Sequence, residues 1–259
     1  MSEPLILTSR HNAVLTVTIN RPEARNAVDG PTAEALRCAF MDFEADEDLA
    51  VAVLTGAGTN FCAGADLKAL GTERSNPVEA TGTGPGPMGP SRLNLSKPVI
   101  AAVQGHAVAG GLELALWCDL RVADATAVFG VFCRRWGVPL IDGGTVRLPR
   151  IVGQGVAMDM ILTGRPVDAD EALRIGLASR VTEQGKALAT AQLMAAEIAK
   201  FPQQCLRADR KSALSQWELP LREALAAEGA GGYPVVFEEA IAGAQRFAQG
   251  AGRHGSFKS

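Results

Sequence analysis

Glu113 is the carboxylate in this sequence best placed to do chemistry. It stands one turn into Gly110-Gly111-Leu112-Glu113-Leu114-Ala115-Leu116-Trp117, a segment otherwise built of glycine and apolar residues. A carboxylate there loses hydration unless a cleft or hydrogen bonds replace it, so its pKa should rise toward the range useful for general acid–base catalysis. The alternative is a glutamate that only complements the dipole of a helix start. The segment is entered through Gly105-His106-Ala107-Val108-Ala109, and a second stretch, Phe61-Cys62-Ala63-Gly64-Ala65-Asp66-Leu67-Lys68, has the same design. Each follows an apolar run of β type and passes through small residues into a helical pattern. Small residues let backbone N–H groups approach a ligand oxygen, and a helix N-terminus adds its dipole. Two such turns facing one point would form an oxyanion hole.

The elements that must hold these turns follow from periodicity. Val14 to Ile19 alternates as a strand does, and Arg21-Pro22 breaks it into a loop. Pro31 suits a first helical turn, with Ala35, Leu36, Ala39, Phe40 and Phe43 on one face. Strands are expected again at Val51 to Leu54, Val99 to Val103, Leu120 to Ala123, and around Val128 and Phe129. Strands alternating with helical patterns predict an α/β arrangement. Asn76 to Pro90 is rich in Pro and Gly and reads as a surface loop or lid. Its Gly84 to Gly89 matches G-x-G-x-x-G in form, but no strand precedes it and its prolines lack the N–H groups a phosphate needs. After Val181 the texture is helical: Lys186 to Lys200, Gln203 to Ser215, Leu219 to Glu228 and Phe237 to Gln249. Leu188, Ala191, Leu193, Met194 and Ile198 mark a stripe that must be buried, on the chain's own core or between subunits.

Bulk properties narrow the classes. The 259 residues carry 25 Lys+Arg against 28 Asp+Glu, a formal net charge of −3, so no global field favours nucleic acid or an anionic membrane. The five cysteines are scattered without a C-x-x-C pair, which argues against a disulfide framework or a zinc site. Met1-Ser2-Glu3-Pro4 opens no secretory signal, and no apolar run approaches the roughly 18 residues of a membrane helix. A reducing cytoplasm is the expected home, and the sequon at Asn94 should stay unmodified there.

The two turns come with Asn20-Arg21-Pro22-Glu23-Ala24-Arg25-Asn26-Ala27, Cys118-Asp119-Leu120-Arg121, Gly143-Gly144-Thr145-Val146-Arg147-Leu148-Pro149 ahead of Gly153, Thr163-Gly164-Arg165, and Ala169 to Ala178. In this order and spacing they resemble the crotonase (enoyl-CoA hydratase/isomerase) superfamily over residues 12 to about 185. The resemblance implies an α/β crotonase (ClpP-like) spiral of ββα units over residues 1–195, with a C-terminal helical oligomerisation region over 196–259. It implies an acyl-CoA thioester as partner, no cofactor beyond the CoA of the substrate, no metal, and a homotrimer or dimer of trimers.

For the site, the resemblance makes the Ala65 and Gly110 N–H groups the oxyanion donors and Glu113 the principal base. It sets Arg25, Ala27, Ala63, Asp66, Leu67 and Lys68 around the CoA adenine and phosphates, where Arg25 and Lys68 offer cations, although either could be an ordinary surface charge. The departure lies in Phe129-Gly130-Val131-Phe132-Cys133-Arg134-Arg135-Trp136-Gly137, where family hydratases carry a second glutamate at the position of Cys133. A thiol with a pKa near 8.5 is about four powers of ten weaker as an acid than a carboxylic acid, so Cys133 is a poor proton donor, and its other readings are a nucleophile or a buried inert thiol. Asp142, before Gly143-Gly144, is either a substitute acid or a turn residue. Trp136 stands with Arg134 and Arg135 in a segment that should line the pocket, where the arginines meet an acyl carboxylate or pair with acidic neighbours at a subunit contact, and His106 should face the cleft or be held by a structural hydrogen bond. Enoyl-CoA hydration is the leading reaction, with isomerisation, decarboxylation and thioester hydrolysis open, and a non-catalytic acyl-CoA-binding protein as the rival from another class.

Overall fold

The alternation of Val14 to Ile19 becomes a strand whose two sides are buried in different layers. In the computed structural model, which describes residues 3–252, the elements run β1 (Ile6–His11), β2 (Val14–Ile19), α1 (Gly30–Ala45), β3 (Val51–Gly56), β4 (Val99–Val103), β5 (His106–Val108), α2 (Gly110–Trp117), β6 (Leu120–Asp124) and β7 (Val128–Gly130). They continue with α3 (Gly144–Val152), α4 (Gln154–Thr163), β8 (Val167–Asp168), α5 (Ala169–Arg174), β9 (Arg180–Thr182), α6 (Ala187–Ile198), α7 (Gln203–Ser215), α8 (Leu221–Val235) and α9 (Ile241–Ala248). One sheet has the order β1-β2-β3-β4-β6-β9, parallel except for the antiparallel β1–β2 pair. A smaller sheet joins β5, β7 and β8. Parallel strands alternating with helices give the expected α/β arrangement.

Leu15, Val17, Ile19, Ala52, Leu54, Ala101 and Val103 point into the main core with Phe40 and Phe43 of α1 and Leu112, Leu114 and Leu116 of α2. The opposite side, Val14, Val51, Val53, Ile100, Ala102 and Val122, packs against Ala191 and Ala195 of α6. Burial on both faces accounts for the near-continuous apolar runs of these strands. The face of α6 is therefore buried on the chain's own sheet. Ala187, Ala191 and Ala195 form its centre, with Leu188, Met194 and Ile198 partly buried, while Leu193 lies off the expected stripe at 69% exposure.

The chain divides into two compact units, Met1–Ala199 and Lys200–Ser259. In the second, the Glu239 carboxylate accepts hydrogen bonds from the Gln204 and Cys205 N–H groups and so caps the start of α7. Leu219 was expected inside a helix but is extended, φ −119° and ψ 144°, because it precedes Pro220, and α8 starts only after that proline. Several large apolar residues of this unit are exposed, among them Leu221, Leu225, Tyr233 and Phe247.

Candidate active site

The two small-residue turns meet. The Cys62 N–H donates to the His106 carbonyl at 2.9 Å and the Val108 N–H donates to the Cys62 carbonyl at 3.1 Å, so the first turn lies beside β5 like an added strand. A Cβ on Gly64 would come within 2.9 Å of the Ala109 Cβ and 3.0 Å of the Gly110 nitrogen, and one on Gly111 would collide with the Cys62 carbonyl. Only glycine lets the turns approach this closely. Ala109, at the cap of α2, has φ 54° and ψ −125°, a conformation costly for a residue with a Cβ and found where a functional turn over-determines the backbone. Neither the Ala65 nor the Gly110 N–H donates a hydrogen bond among the described residues.

Glu113 sits in the first turn of α2, only 3% exposed. Its Oε1 accepts hydrogen bonds from the Asp142 N–H at 2.9 Å and the Gly144 N–H at 2.8 Å, whereas Oε2 accepts none among the described residues. Burial, joined by the negative charge of Asp142, raises its pKa to about 7, against the pull of those two donors and of Arg147. Gly144 cannot carry a side chain, since a Cβ would reach within 2.9 Å of Glu113 Cγ and Oε1.

Asp142 is a tethered carboxylate, also 3% exposed. Its Oδ1 accepts from the Met88 N–H at 2.9 Å and from the Ser91 hydroxyl, and its carbonyl accepts from Arg147 at 2.9 Å. Burial raises its pKa despite those donors and the charges of Arg92 and Arg147. The expected surface loop 76–90 holds for residues 77–83, which are exposed and irregular, but is corrected at its end, because Gly86 through Pro90 are buried and meet the site through Asp142.

The residues expected around CoA are brought alongside one another. The Ala63 N–H donates to the Arg25 carbonyl at 3.0 Å, Val28 N–H to Gly64 at 2.8 Å, and Asp66 N–H to Val28 at 2.9 Å, which packs residues 25–28 against 63–66. Arg25, with φ 51°, and Lys68 are exposed, as is Leu67. A surface cavity of about 490 Å³ is lined by Asp66, Lys68, Ala69, Thr72, Glu73 and Arg74. Asp66 accepts from Arg21 at 2.9 Å, and the same guanidinium reaches the Ala27 carbonyl at 2.6 Å. His106 Nδ1 lies 2.9 Å from Asn60 Oδ1, and burial together with nearby Arg25 lowers its pKa.

Sequence reasoning missed the scaffold of this face. Asp29, fully buried, caps α1 through Thr32 and pairs with Arg74 at 2.5 Å and Arg21 at 3.6 Å. Burial opposes its charge, but Thr32, Arg74 and Arg21 prevail and lower its pKa. Asp followed by Gly-Pro-Thr is a legible helix start; its pairing with Arg74 has no local signal.

Cys133 lies in a short 3₁₀ turn, Phe132–Trp136, and is 6% exposed. Burial first, then the charge of Glu113, pushes its thiol up, so it stays protonated near neutral pH. Arg134 donates to the Ile161 carbonyl at 3.1 Å, Arg135 stacks on Phe132 at 4.0 Å, and Trp136 is 71% exposed. No group of three or more His, Cys, Asp or Glu that could hold a metal occurs among the described residues, and no described helix is long and apolar enough to cross a membrane.

The enoyl-CoA hydratase/isomerase family profile matches residues 9–249. A carnitinyl-CoA dehydratase of Salmonella enteritidis is 37% identical over 256 residues, covering 96% of this chain and 97% of that one. The structure is similar to an enoyl-CoA hydratase from Mycobacterium tuberculosis, with a TM-score of 0.90, 35% identity and 95% and 96% of the two chains covered. An enoyl-CoA hydratase from Mycobacterium marinum matches with a TM-score of 0.89 at the same identity and coverage.

Proposed function

Because the chain belongs to the enoyl-CoA hydratase/isomerase family, we propose that it hydrates, or in reverse dehydrates, a CoA thioester by stabilising an enolate between the Ala65 and Gly110 N–H groups. The observation that carries this reading is Glu113, a buried carboxylate with a pKa of about 7 on the helix whose first N–H has no internal acceptor. In the ionised form it takes a proton from water as the oxygen adds to Cβ of the enoyl group. The negative charge that moves onto the thioester oxygen meets the two N–H donors, each worth typically about 3 kcal/mol at such a site. A proton then returns to Cα and closes the balance, water having added across one double bond.

The donor of that last proton distinguishes this chain. On the family resemblance Cys133 stands where hydratases carry their second glutamate, and burial keeps its thiol protonated, too weak an acid to serve. Asp142 is the remaining buried acid on the Glu113 side, and Oδ2 takes no hydrogen bond among the described residues while Oδ1 is tied to Met88 and Ser91. We assign it the proton transfer at Cα: ionised at rest, it takes up the proton that Glu113 has removed from water and delivers it to Cα, so that both carboxylates end as they began. A second reading, double-bond isomerisation, is favoured by the same pair, since two carboxylates without a third acid can move a proton between carbons of one enolate. CoA would be held across Arg25, Ala27, Ala63, Asp66, Leu67 and Lys68, with Trp136 at the outer rim.

A panel of enoyl-, dienoyl- and malonyl-type CoA thioesters with mass-spectrometric product detection tests the reading. Addition of one water to a short enoyl-CoA is expected. Asp142→Asn should slow it at least about tenfold, and Cys133→Glu should accelerate it by one or more powers of ten, each about 1.4 kcal/mol of barrier. Fast native hydration that survives Asp142→Asn would show that Glu113 suffices alone. Decarboxylation or thioester cleavage as the dominant product would replace the reaction assigned.

A further inference from the structure

The Pro- and Gly-rich stretch that ought to be mobile ends in a wall. The Gly89 N–H donates to Gly86 at 2.7 Å, Asn76 holds the Pro87 carbonyl at 2.8 Å, and Arg147 holds the Ser91 carbonyl at 2.7 Å. Asp142 Oδ1 fixes the Met88 N–H and the Ser91 hydroxyl between those points. The side chain of Met88, 1% exposed, lies directly on the residue assigned as an oxyanion donor. A Cβ on Gly110 would come within 2.6 Å of Met88 Sδ, 2.9 Å of Cγ and 3.1 Å of Cε. The thioether thus fills space next to the thioester position while its backbone is bolted in place. A flexible side chain can shift a little, but a wall tethered on both sides of Met88 cannot swing away.

We infer that Met88 limits the acyl group to a short chain, with Asp142 as the positioning residue that holds it through Oδ1. This rests on the acyl-CoA reading above and goes beyond it by naming the acyl class. A long chain would have to displace Met88, whereas a four-carbon chain would end beside it.

Calorimetry with butyryl-CoA and decanoyl-CoA, which have no double bond to react, tests the wall independently of turnover. The native protein should bind decanoyl-CoA no more tightly than butyryl-CoA, although longer chains ordinarily gain affinity in an open apolar pocket. Met88→Ala should raise the affinity for decanoyl-CoA relative to butyryl-CoA at least about tenfold. Met88→Val, a smaller truncation, should move the ratio the same way by about threefold if the alanine variant does not fold. Native preference for decanoyl-CoA, or an unchanged ratio in a folded variant, would overturn the inference. Binding of neither ester by the native protein would instead remove the acyl-CoA reading itself, before any substitution is made.

Discussion

At the scale of single residues, the proposal that Glu113 carries the chemistry rests on surroundings that withhold solvent without withholding hydrogen bonds. With a folded pKa of about 7 against an ordinary 4.5, the ionised base accumulates as pH rises through 7, so the hydration rate should climb with a limb near that value. Glu113→Gln keeps an oxygen for the Asp142 and Gly144 N–H groups, yet should lower the rate at least about a hundredfold and abolish the limb. Stability has the opposite sign. The folded state binds the proton more tightly than the unfolded chain, so the contribution of Glu113 is fully present below pH 4.5 and is lost as pH rises through 7. Denaturant midpoints of the glutamine variant should accordingly exceed those of the native protein above pH 7 and converge with them toward pH 4.5; the reverse ordering would contradict the burial argument. Glu113 was legible in the sequence because a lone carboxylate among apolar residues is conspicuous. Asp142 was legible only as one of two readings, because Asp before Gly-Gly is equally ordinary turn chemistry. What sets it apart is a hydrogen bond to Met88, 54 positions away, which no local pattern encodes.

At the scale of elements, the site depends on a helix start bent into an unfavourable backbone. Ala109→Gly should relieve the positive φ and stabilise the protein by about 1 kcal/mol in equilibrium unfolding, whereas Gly64→Ala should cost more than that and depress turnover, since its methyl would press on the Gly110 nitrogen. If Gly64→Ala retained both stability and rate, the close approach of the turns would not be what builds the donor pair. Asp29→Ala should destabilise by about 3 kcal/mol, because a helix cap and the partner of Arg74 and Arg21 disappear together. The long strands were readable from their apolar runs, β2 and β4 over their full lengths. β1 was not, because it is an exposed edge with no apolar face, and β5, β8 and β9 are too short to show a period, whereas β7 was anticipated around Val128 and Phe129. Pro-Gly content was a sound guide to the exposed loop over residues 77–83 and misled only at 86–90, where tethers from Asn76, Asp142 and Arg147 override composition.

At the scale of the whole molecule, family membership and the crotonase fold were legible because motifs spread over most of the chain preserve order and spacing. The partner of the C-terminal helices was not, since an amphipathic stripe does not say which surface covers it. The stripe of α6 turned out to face the chain's own sheet, while Leu221, Leu225, Tyr233 and Phe247 in the last unit are exposed in the single chain. Large exposed apolar groups of this kind call for a covering surface. The family resemblance makes that surface other copies of the chain, so light scattering at micromolar concentration should give a trimer or hexamer, and a monomer would contradict that expectation. The central claim is that the protein forms a thioester enolate with Glu113 as its base. Incubating crotonyl-CoA with the native protein in D₂O and following the product by mass spectrometry and NMR tests it most directly. The expected product is a 3-hydroxyacyl-CoA bearing one deuterium at Cα, formed at least about a hundredfold more slowly by Glu113→Gln. No incorporation at Cα, or equal incorporation by the two proteins, would contradict it.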